Sequence, residues 1–403
     1  MKIKVSLSGL RRLVLILILV LSSGFFGYRL GFSRTAVSVE EGKDFSLFWL
    51  VWHRLEEKYL DRDKIDEQKM IEGAISGMVS SLGDPYTAFF PFEDNKVSRE
   101  DLSGEFGGVG IQLGYKSKTL AVISPLNGTP AEKAGIKAGD LILKIKDESA
   151  GVDQSTDGIS LPEAIKLIRG EKGSKVVLTI FREDENGPRD FEVTRGTIVV
   201  PSLKSDWVVR DNKNFAYVHL LQFSERLGEE WISWVRETLS KADSSGLDGI
   251  VLDLRNNPGG YLEGAVFIAG EFLPMGRPVV WQEDYQNKKT KLSVDRTGSF
   301  LETPLIVLIN EGSASSSEIL AGALKDYHRT TLVGTATFGK GIIQEPQELP
   351  GGAGLHITTA RWLLPNGDSI HEKGVDPDVK IEELDQAEED PFLEKAIDLF
   401  LGN

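Results

Sequence analysis

The sequence predicts an α/β protein whose core of alternating strands and helices follows a smaller, mostly β module and an N-terminal helical segment. Two runs that are apolar on both faces, Asp248–Leu254 and Leu305–Ile309, predict the central strands of the core. Amphipathic helices are predicted beside them at Arg226–Ala242 and Leu262–Phe272, and a third strand at Pro278–Trp281. Buried strands that alternate with helices favour a largely parallel sheet with right-handed crossovers.

Composition and charge exclude several classes of protein. The chain has 403 residues and a formal net charge of -15, although every charged side chain before Glu40 is basic. The acidic balance of the remainder disfavours binding to a nucleic-acid backbone. Cysteine is absent from the sequence, which excludes disulfides, Cys-zinc sites and a cysteine nucleophile.

Residues 1–39 have the pattern of an export signal or a membrane anchor. Four basic residues precede an uncharged, strongly apolar run over residues 13–28. This charge order keeps the N-terminus in the cytoplasm and the bulk of the chain outside it. The apolar run is short for a spanning helix, but no clear cleavage site follows, so a retained anchor is favoured over a cleaved signal peptide. We therefore expect an extracytoplasmic protein, in the periplasm or cell envelope, anchored to the inner or plasma membrane.

Residues 42–95 are predicted to form a helical lead-in without chemistry of its own. Apolar side chains recur at helical spacing over Asp44–Tyr59 and again over Asp66–Leu82. The sequence Gly83-Asp84-Pro85-Tyr86 ends the second helix.

Residues 96–190 resemble a PDZ domain in the order of their elements. A glycine-rich stretch, Gly104–Leu113, leads into a strand, and a short helix at Thr129–Gly135 starts with Thr-Pro and stops at Gly. A second, amphipathic helix at Leu161–Gly170 is followed by a strand at Val176–Arg182. The resemblance implies that an extended peptide adds to the sheet edge beside the second helix.

The same resemblance implies where a peptide carboxylate would bind. Backbone N–H groups of a glycine-rich loop form a nest for an anion, and glycine lets the backbone approach the ligand closely. Arg169, at the end of the second helix, has three open roles: it steers the carboxylate, contacts the neighbouring domain, or only complements the helix dipole. The candidate peptide-binding residues are Gly107, Gly108, Val109, Gly110, Ile111 and Arg169.

The α/β core is predicted to span residues 195–375. Two of its turns follow directly after apolar strands. Ligands of open α/β sheets gather beyond the carboxyl ends of the strands. Asn256–Gly260 follows the Asp248–Leu254 strand, and Gly312–Ser316 follows the Leu305–Ile309 strand. We expect both turns at one edge of the sheet.

The chemistry available at this edge is a serine hydroxyl and a lysine amine. None of the five histidines lies in a recognisable triad or nucleophile-elbow context, which leaves Lys340 as the candidate base. Its pKa must fall by about three units, and burial among apolar neighbours has that effect. No acidic residue lies within four positions of Lys340, and Gln344 could orient its neutral amine. Spacing alone leaves open which serine of the 313–317 cluster acts, and whether the cluster merely caps a helix.

Several segments together resemble the C-terminal processing peptidases, PDZ-containing serine proteases with a Ser/Lys dyad. The motifs are GAISGMVSSLGDPYT, EFGGVGIQL, LIRGEKGSKV, VLDLRNNPGG, EGSASSSEILAGALKD, GTATFGKGIIQ and RWLLPNGDSIHEKGVDPD. The resemblance implies a ClpP/crotonase-like protease core with an inserted PDZ domain. It implies three catalytic residues, namely Ser315 as nucleophile, Lys340 as base and Gln344 as its support. The oxyanion donors map to Ser316, a serine where alanine is common, and to Gly259 or Gly260.

The predicted function is that of an extracytoplasmic serine endopeptidase that needs no metal or other cofactor. Its partners would be protein or peptide substrates with apolar C-termini, and the membrane through the N-terminal segment. The acidic tail, residues 376–403, ends in a predicted helix, Pro391–Leu401, that could serve packing or homodimer contacts. An adaptor protein is a further candidate partner. Two alternatives remain: a non-catalytic PDZ scaffold and a Ser-His hydrolase.

Overall fold

A computed structural model describes residues 43–116, 118–183, 185–381 and 390–402. The apolar run expected to be an export signal or anchor lies outside these residues. Within the described ranges, no helix is both long and apolar enough to cross a membrane. The chain divides into two compact units between Ile71 and Glu72.

The N-terminal helices form close to where periodicity predicts them. Helix α1 spans Ser46–Lys58, a 3-10 turn follows at Arg62–Lys64, and helix α2 spans Glu67–Ser80. The predicted stop after the second helix is confirmed, because the next element is strand β1, Ala88–Phe90. Helix α3, Phe92–Ser103, then leads into the PDZ-like module.

The PDZ-like module is a small sheet covered by two helices. Its strands are β2 (Glu105–Gly108), β3 (Ile111–Lys116), β4 (Thr119–Pro125), β5 (Leu141–Asp147), β6 (Val152–Ser155), β7 (Lys175–Phe181), β8 (Arg189–Thr194) and β9 (Gly196–Val199). Its helices are α4 (Pro130–Lys133) and α5 (Leu161–Ile168). The main sheet has the order β3-β4-β5-β7-β8, with β6 paired to β5. Strands β2 and β9 form a separate antiparallel ribbon, where the chain enters and leaves the module.

The core contains a six-stranded sheet that is mostly parallel. Its strands are β10 (Leu203–Arg210), β11 (Lys213–Leu220), β12 (Gly249–Asp253), β15 (Leu305–Ile309), β16 (Thr331–Gly334) and β19 (Val379–Lys380). They lie in that order, and only the β10–β11 pair is antiparallel. Every residue of β12 and β15 is buried, as the apolar runs predict. The helices of the core are α6 (Leu227–Ser245), α7 (Leu262–Phe272), α8 (Ser316–Asp326) and α9 (Pro391–Leu401).

The strand predicted at Pro278–Trp281 forms, but it does not join the parallel sheet. It is the start of β13, Pro278–Asp284, in a second and antiparallel sheet. The other strands there are β1, β14 (Lys289–Ser293), β17 (Ile342–Glu348) and β18 (Gly354–Leu363). Only the first half of β13 is strongly buried, and such a strand suits an antiparallel sheet with one partly solvated face.

The parallel pairing of β12 with β15 brings the two predicted turns together. Asp253 is paired with Leu308 near the ends of the two strands. The turns that follow, Arg255–Gly260 and Asn310–Ser315, therefore leave the same edge of the sheet side by side. A single backbone bridge between Phe223 and Gly260 ties the first turn to the loop after β11.

Candidate active site

Ser315 occupies a strained backbone position at the start of helix α8. It is the N-cap residue, with φ 56° and ψ -115°, and a positive φ is costly for a residue with a Cβ atom. The side chain is half-buried, while the helix that follows is almost entirely buried. The strain indicates that the surrounding structure holds the residue in a sharp turn.

The other serines of the cluster have structural partners for their hydroxyls. Ser313 Oγ donates to Leu254 O over 2.8 Å, and Ser317 Oγ donates to Asn257 O over 2.9 Å. Ser316 Oγ donates to Gly260 O over 2.9 Å. All three residues are buried. The bonds of Ser316 and Ser317 fasten the serine turn to the Asn256–Gly260 turn, and the bond of Ser313 fastens it to Leu254, just after strand β12.

Two backbone N–H groups near Ser315 have no acceptor among the described residues: those of Ser316 and Gly260. The N–H of Gly259, in contrast, donates to Asn257 Oδ1 over 2.9 Å. Gly259 contributes in a different way, because a Cβ atom there would lie 2.7 Å from Ser315 Cβ. Glycine at this position therefore permits the close approach of the two turns.

Lys340 lies in the loop before β17 and is oriented by Gln344. Its Nζ donates to Gln344 Oε1 over 2.5 Å, and Gln344 Nε2 donates to Tyr86 O over 2.6 Å. Burial lowers the pKa of Lys340, and the negative charge of Glu318 partly opposes this effect. No hydrogen bond joins Lys340 Nζ to Ser315 Oγ in the part of the chain that the structure describes. The amine instead lies 5.7 Å from the centre of the Tyr86 ring.

The carbonyl that holds Gln344 belongs to a turn organised by Asp84. Asp84 Oδ1 accepts the N–H of Tyr86 over 3.0 Å, and Asp84 Oδ2 accepts the Thr87 hydroxyl over 2.6 Å. Thr87 Oγ1 in turn accepts the N–H of Thr358 in β18 over 3.1 Å. The Gly83–Tyr86 motif, which sequence analysis treated only as a helix stop, thus supports Lys340 indirectly, because its Tyr86 carbonyl holds Gln344.

Glu318 is the residue at this site that sequence analysis missed. Its carboxylate is fully buried. It accepts hydrogen bonds from four donors: Ser315 N at 2.8 Å, Lys340 N at 2.9 Å, Gly339 N at 2.6 Å and Thr337 Oγ1 at 2.6 Å. The expectation that Lys340 has no acidic neighbour holds along the sequence but not in space. A Ser-x-x-Glu spacing, typical of a capping box, was the available signal.

Ser315, Lys340, Ser316 and Gly260 line one open cavity of about 660 Å³. Much of its remaining wall is apolar, formed by Leu262, Ile342, Trp362 and neighbouring side chains. His356 also faces this cavity, where burial and then the charge of Lys340 lower the pKa of its imidazole. The arrangement can accommodate a polypeptide segment across a serine hydroxyl, a lysine amine and two unpaired N–H groups.

A second, smaller groove of about 250 Å³ lies on the PDZ-like module. Five of the six predicted peptide-binding residues line it, the exception being Gly107. Gly107 belongs to β2 and packs against Gly170, where a Cβ atom would lie 2.1 Å from the carbonyl oxygen. Arg169 Nη1 donates to Asp101 Oδ1 over 3.3 Å, and its guanidinium lies 3.9 Å from the centre of the Phe106 ring. The groove's arginine thus contacts helix α3.

Three segments of the chain match known families. Residues 214–381 match peptidase family S41, and residues 122–182 match the PDZ domain. Residues 34–93 match the N-terminal domain of the activating protease CtpB.

Curated relatives are similar over most of their length. Carboxy-terminal processing protease CtpA of Bacillus subtilis is 36% identical over 331 residues, which are 82% of this chain and 68% of that protein. The carboxy-terminal-processing protease of Bartonella bacilliformis is 37% identical over 341 residues, which are 85% of this chain and 76% of that protein.

A solved structure from Bacteroides fragilis, described as a candidate S41 protease, matches with a TM-score of 0.55 at 17% identity. The alignment covers 90% of this chain and 98% of the solved chain. At 17% identity, the match is evidence for the fold only.

These findings define a serine-type peptidase of the S41 class that carries a PDZ domain. The chain belongs to the family of carboxy-terminal processing proteases. The predicted fold class, an α/β protease core with an inserted PDZ domain and an N-terminal segment, is confirmed.

The role of Glu318 can be tested by the substitution Glu318→Gln. A glutamine side chain has one oxygen acceptor in place of two, so some of the four donors lose their partner. Leaving buried donors unpaired costs about 1–3 kcal/mol, and we expect the free energy of unfolding in urea to fall by about that amount. Cleavage should fall at least about tenfold, because small displacements of reacting groups are costly.

Glu311→Gln is the matched control. Glu311 is exposed and lies on the same segment, four residues before Ser315. Its replacement should change stability by less than about 0.5 kcal/mol. Equal effects of the two substitutions would contradict the role assigned to Glu318.

Proposed function

We propose that this peptidase is an extracytoplasmic endopeptidase that uses Ser315 as nucleophile and Lys340 as base. The observation that carries the proposal is the single cavity in which these side chains meet the unpaired N–H groups of Ser316 and Gly260. In the first step, Ser315 Oγ attacks the scissile carbonyl carbon while neutral Lys340 accepts its proton. The protonated lysine then gives that proton to the leaving amine, and water activated by Lys340 hydrolyses the acyl-enzyme.

Lys340 suits the role of base because its surroundings favour the neutral amine. Burial lowers its pKa, and Gln344 orients the amine without adding a charge. The lysine side chain rotates about several bonds, and catalytic hydrogen bonds often tighten only when substrate binds. The missing bond to Ser315 Oγ is therefore compatible with this role.

The oxyanion of the tetrahedral intermediate would bind to the N–H groups of Ser316 and Gly260. Ser316 is the first residue of helix α8, so the positive end of the helix dipole lies behind its N–H. Of the two glycines that sequence analysis left open, Gly260 is favoured because the Gly259 N–H already donates to Asn257. Preorganised donors of this kind are each worth about 10²–10³-fold in rate.

Substrate selection is assigned to the groove of the PDZ domain. Its wall combines the backbone of residues 108–111 with apolar side chains, among them Ile165 and Ile168. An apolar C-terminus fits this wall, and its carboxylate would bind to the loop N–H groups with Arg169 nearby. Arg169 already contacts Asp101 of helix α3, so a bound carboxylate would compete with that contact.

We also propose the location and domain division expected from the sequence. Residues 1–39 would anchor the chain, followed by helical (42–95), PDZ (96–190) and protease (195–375) domains and a C-terminal tail (376–403). Fractionation of cells that express the full chain tests the anchor, because recovery in the soluble cytosolic fraction contradicts it.

The dyad can be tested with Ser315→Ala and Lys340→Ala on an unfolded protein substrate. Each substitution removes a group that acts in every catalytic cycle, so cleavage should fall at least about a thousandfold. The measurement is the rate at which substrate disappears, followed on gels. Single replacement of each histidine should leave cleavage within about threefold.

Two other outcomes would support the alternatives. If wild type cleaves no faster than either variant, the chain acts as a PDZ scaffold. If one histidine proves essential while Lys340→Ala remains active, a Ser-His hydrolase is favoured. Substrate selection by the PDZ groove can be tested with two versions of one protein substrate, one with an apolar C-terminus and one with an acidic C-terminus. The version with the acidic C-terminus should be cleaved more slowly.

The substitution Gln344→Glu tests the protonation state of Lys340. Activity requires the neutral amine, so kcat/KM should rise as pH increases through the pKa of Lys340. This pKa lies below the ordinary lysine value. A carboxylate in place of the Gln344 amide favours the ammonium form, and we expect the acid limb of the pH profile to move upward by about one unit or more.

Gln347→Glu, an exposed position on the same strand, is the control and should leave the profile in place. An unchanged or downward-shifted profile for Gln344→Glu would exclude Lys340 as the titrating base.

A further inference from the structure

The C-terminal helix is fastened to the active-site edge by a two-point ion pair. Asp390 is the N-cap of helix α9, and its Oδ1 accepts the N–H of Phe392 over 3.0 Å. The same carboxylate accepts two hydrogen bonds from Arg255, Nη1 to Oδ1 at 3.0 Å and Nη2 to Oδ2 at 2.6 Å. Paired bonds of this kind fix the plane of the guanidinium as well as its position.

Arg255 is shared between this helix and strand β12. Its Nε and Nη2 donate to the buried carboxylate of Asp253, the latter over 2.6 Å. Asp253 also accepts the Tyr217 hydroxyl over 2.7 Å. Although burial disfavours the charge, the hydrogen bonds that Arg255 donates to both carboxylates hold its pKa above the ordinary value. Without the Asp390 carboxylate, the Nη1 and Nη2 edge of this guanidinium loses an anionic hydrogen-bond acceptor.

The residue after Arg255 begins the turn that carries Gly260. Asn256 has φ 56°, an uncommon conformation for a residue other than glycine. Its N–H donates to Asn310 Oδ1 over 2.9 Å, and Asn310 Nδ2 donates back to Asn256 Oδ1 over 3.0 Å. Asn257 then accepts the Gly259 N–H. Asp390 is therefore linked by hydrogen bonds to the Arg255 side chain, and Arg255 is linked through the backbone to the oxyanion turn.

We infer that Asp390 is a positioning residue for the oxyanion hole and that helix α9 thereby supports catalysis. The inference rests on the proposed function, because it assigns the Gly260 N–H to the oxyanion. Loss of the Asp390–Arg255 pair lets the guanidinium move with the backbone of residues 255–257. The displaced Gly260 N–H would then stabilise the transition state less well, while peptide binding in the PDZ groove is unaffected.

A second ion pair on the same helix provides a matched control. Arg210 Nη2 donates to Glu394 Oε1 over 2.8 Å and to Glu394 Oε2 over 2.9 Å. This pair also fastens helix α9 to the core, through edge strand β10. Arg210 lies on the strand farthest from β15 on that side of the sheet. If helix α9 contributes only packing, loss of either ion pair should change the catalytic rate to a similar extent.

The experiment compares Asp390→Asn, Asp390→Glu and Glu394→Gln in the full chain. The measurements are kcat and KM on one peptide substrate, the melting temperature, and the rate at which a fluorophosphonate labels Ser315. That label places its phosphoryl oxygen where the oxyanion would lie, so its rate reports on the donors without peptide binding. All assays run below the melting temperature of the least stable variant.

We expect Asp390→Asn to lower kcat and the labelling rate about tenfold or more, short of the 10²–10³-fold cost of losing a donor outright. KM should change by less than about twofold, and Asp390→Glu should recover part of the loss because it restores the charge. Glu394→Gln should keep wild-type rates even if its melting temperature falls.

Equal rates for Asp390→Asn and Glu394→Gln would overturn the inference, as would a loss that follows the melting temperature across all three variants. If wild type itself neither cleaves nor labels at Ser315, the proposed function fails first. The two failures are thus distinguishable.

Discussion

The buried carboxylate of Glu318 is the interaction on which the candidate active site depends. It lies in the first turn of helix α8, yet its donors come from both sides of the site: the serine turn and the lysine loop. An ionised carboxylate without partners would be very costly to bury, so the two loops must converge on it for the fold to be stable. The same requirement brings Ser315 and Lys340 to one cavity.

The serine turn and the lysine loop are held in place in different ways. Ser315 and Asn256 both adopt φ 56° at the ends of adjacent parallel strands. Several bonds from buried serines and asparagines hold these two turns together, and their sum offsets the strain. Lys340 instead depends on a chain of neutral groups, Gln344 and the Tyr86 carbonyl. Neutral partners orient the amine without stabilising its charged form.

Sequence analysis predicted the architecture well where the signal is local. Apolar runs identified β12 and β15, and glycine-rich and Pro-started segments identified the PDZ-like module. It assigned Pro278–Trp281 to the wrong sheet, because a short apolar run does not reveal the direction of its partner strands. The Ser-x-x-Glu spacing signals only the local contact of Glu318 with Ser315, while its bonds to the lysine loop and those of Asp390 to Arg255 join residues far apart in sequence, which no local pattern encodes. That the N–H of Gly259, unlike that of Gly260, already donates to a side chain could not be read from the sequence either.

The contact between Gln344 and Tyr86 joins residues that are 258 positions apart in the chain. Closing a loop of this length costs conformational entropy, which the contacts formed at its ends must offset. A chain that has not yet brought these two segments together lacks this support for the Lys340 amine. The orientation of the candidate base is thereby coupled to the folding of two distant parts of the chain.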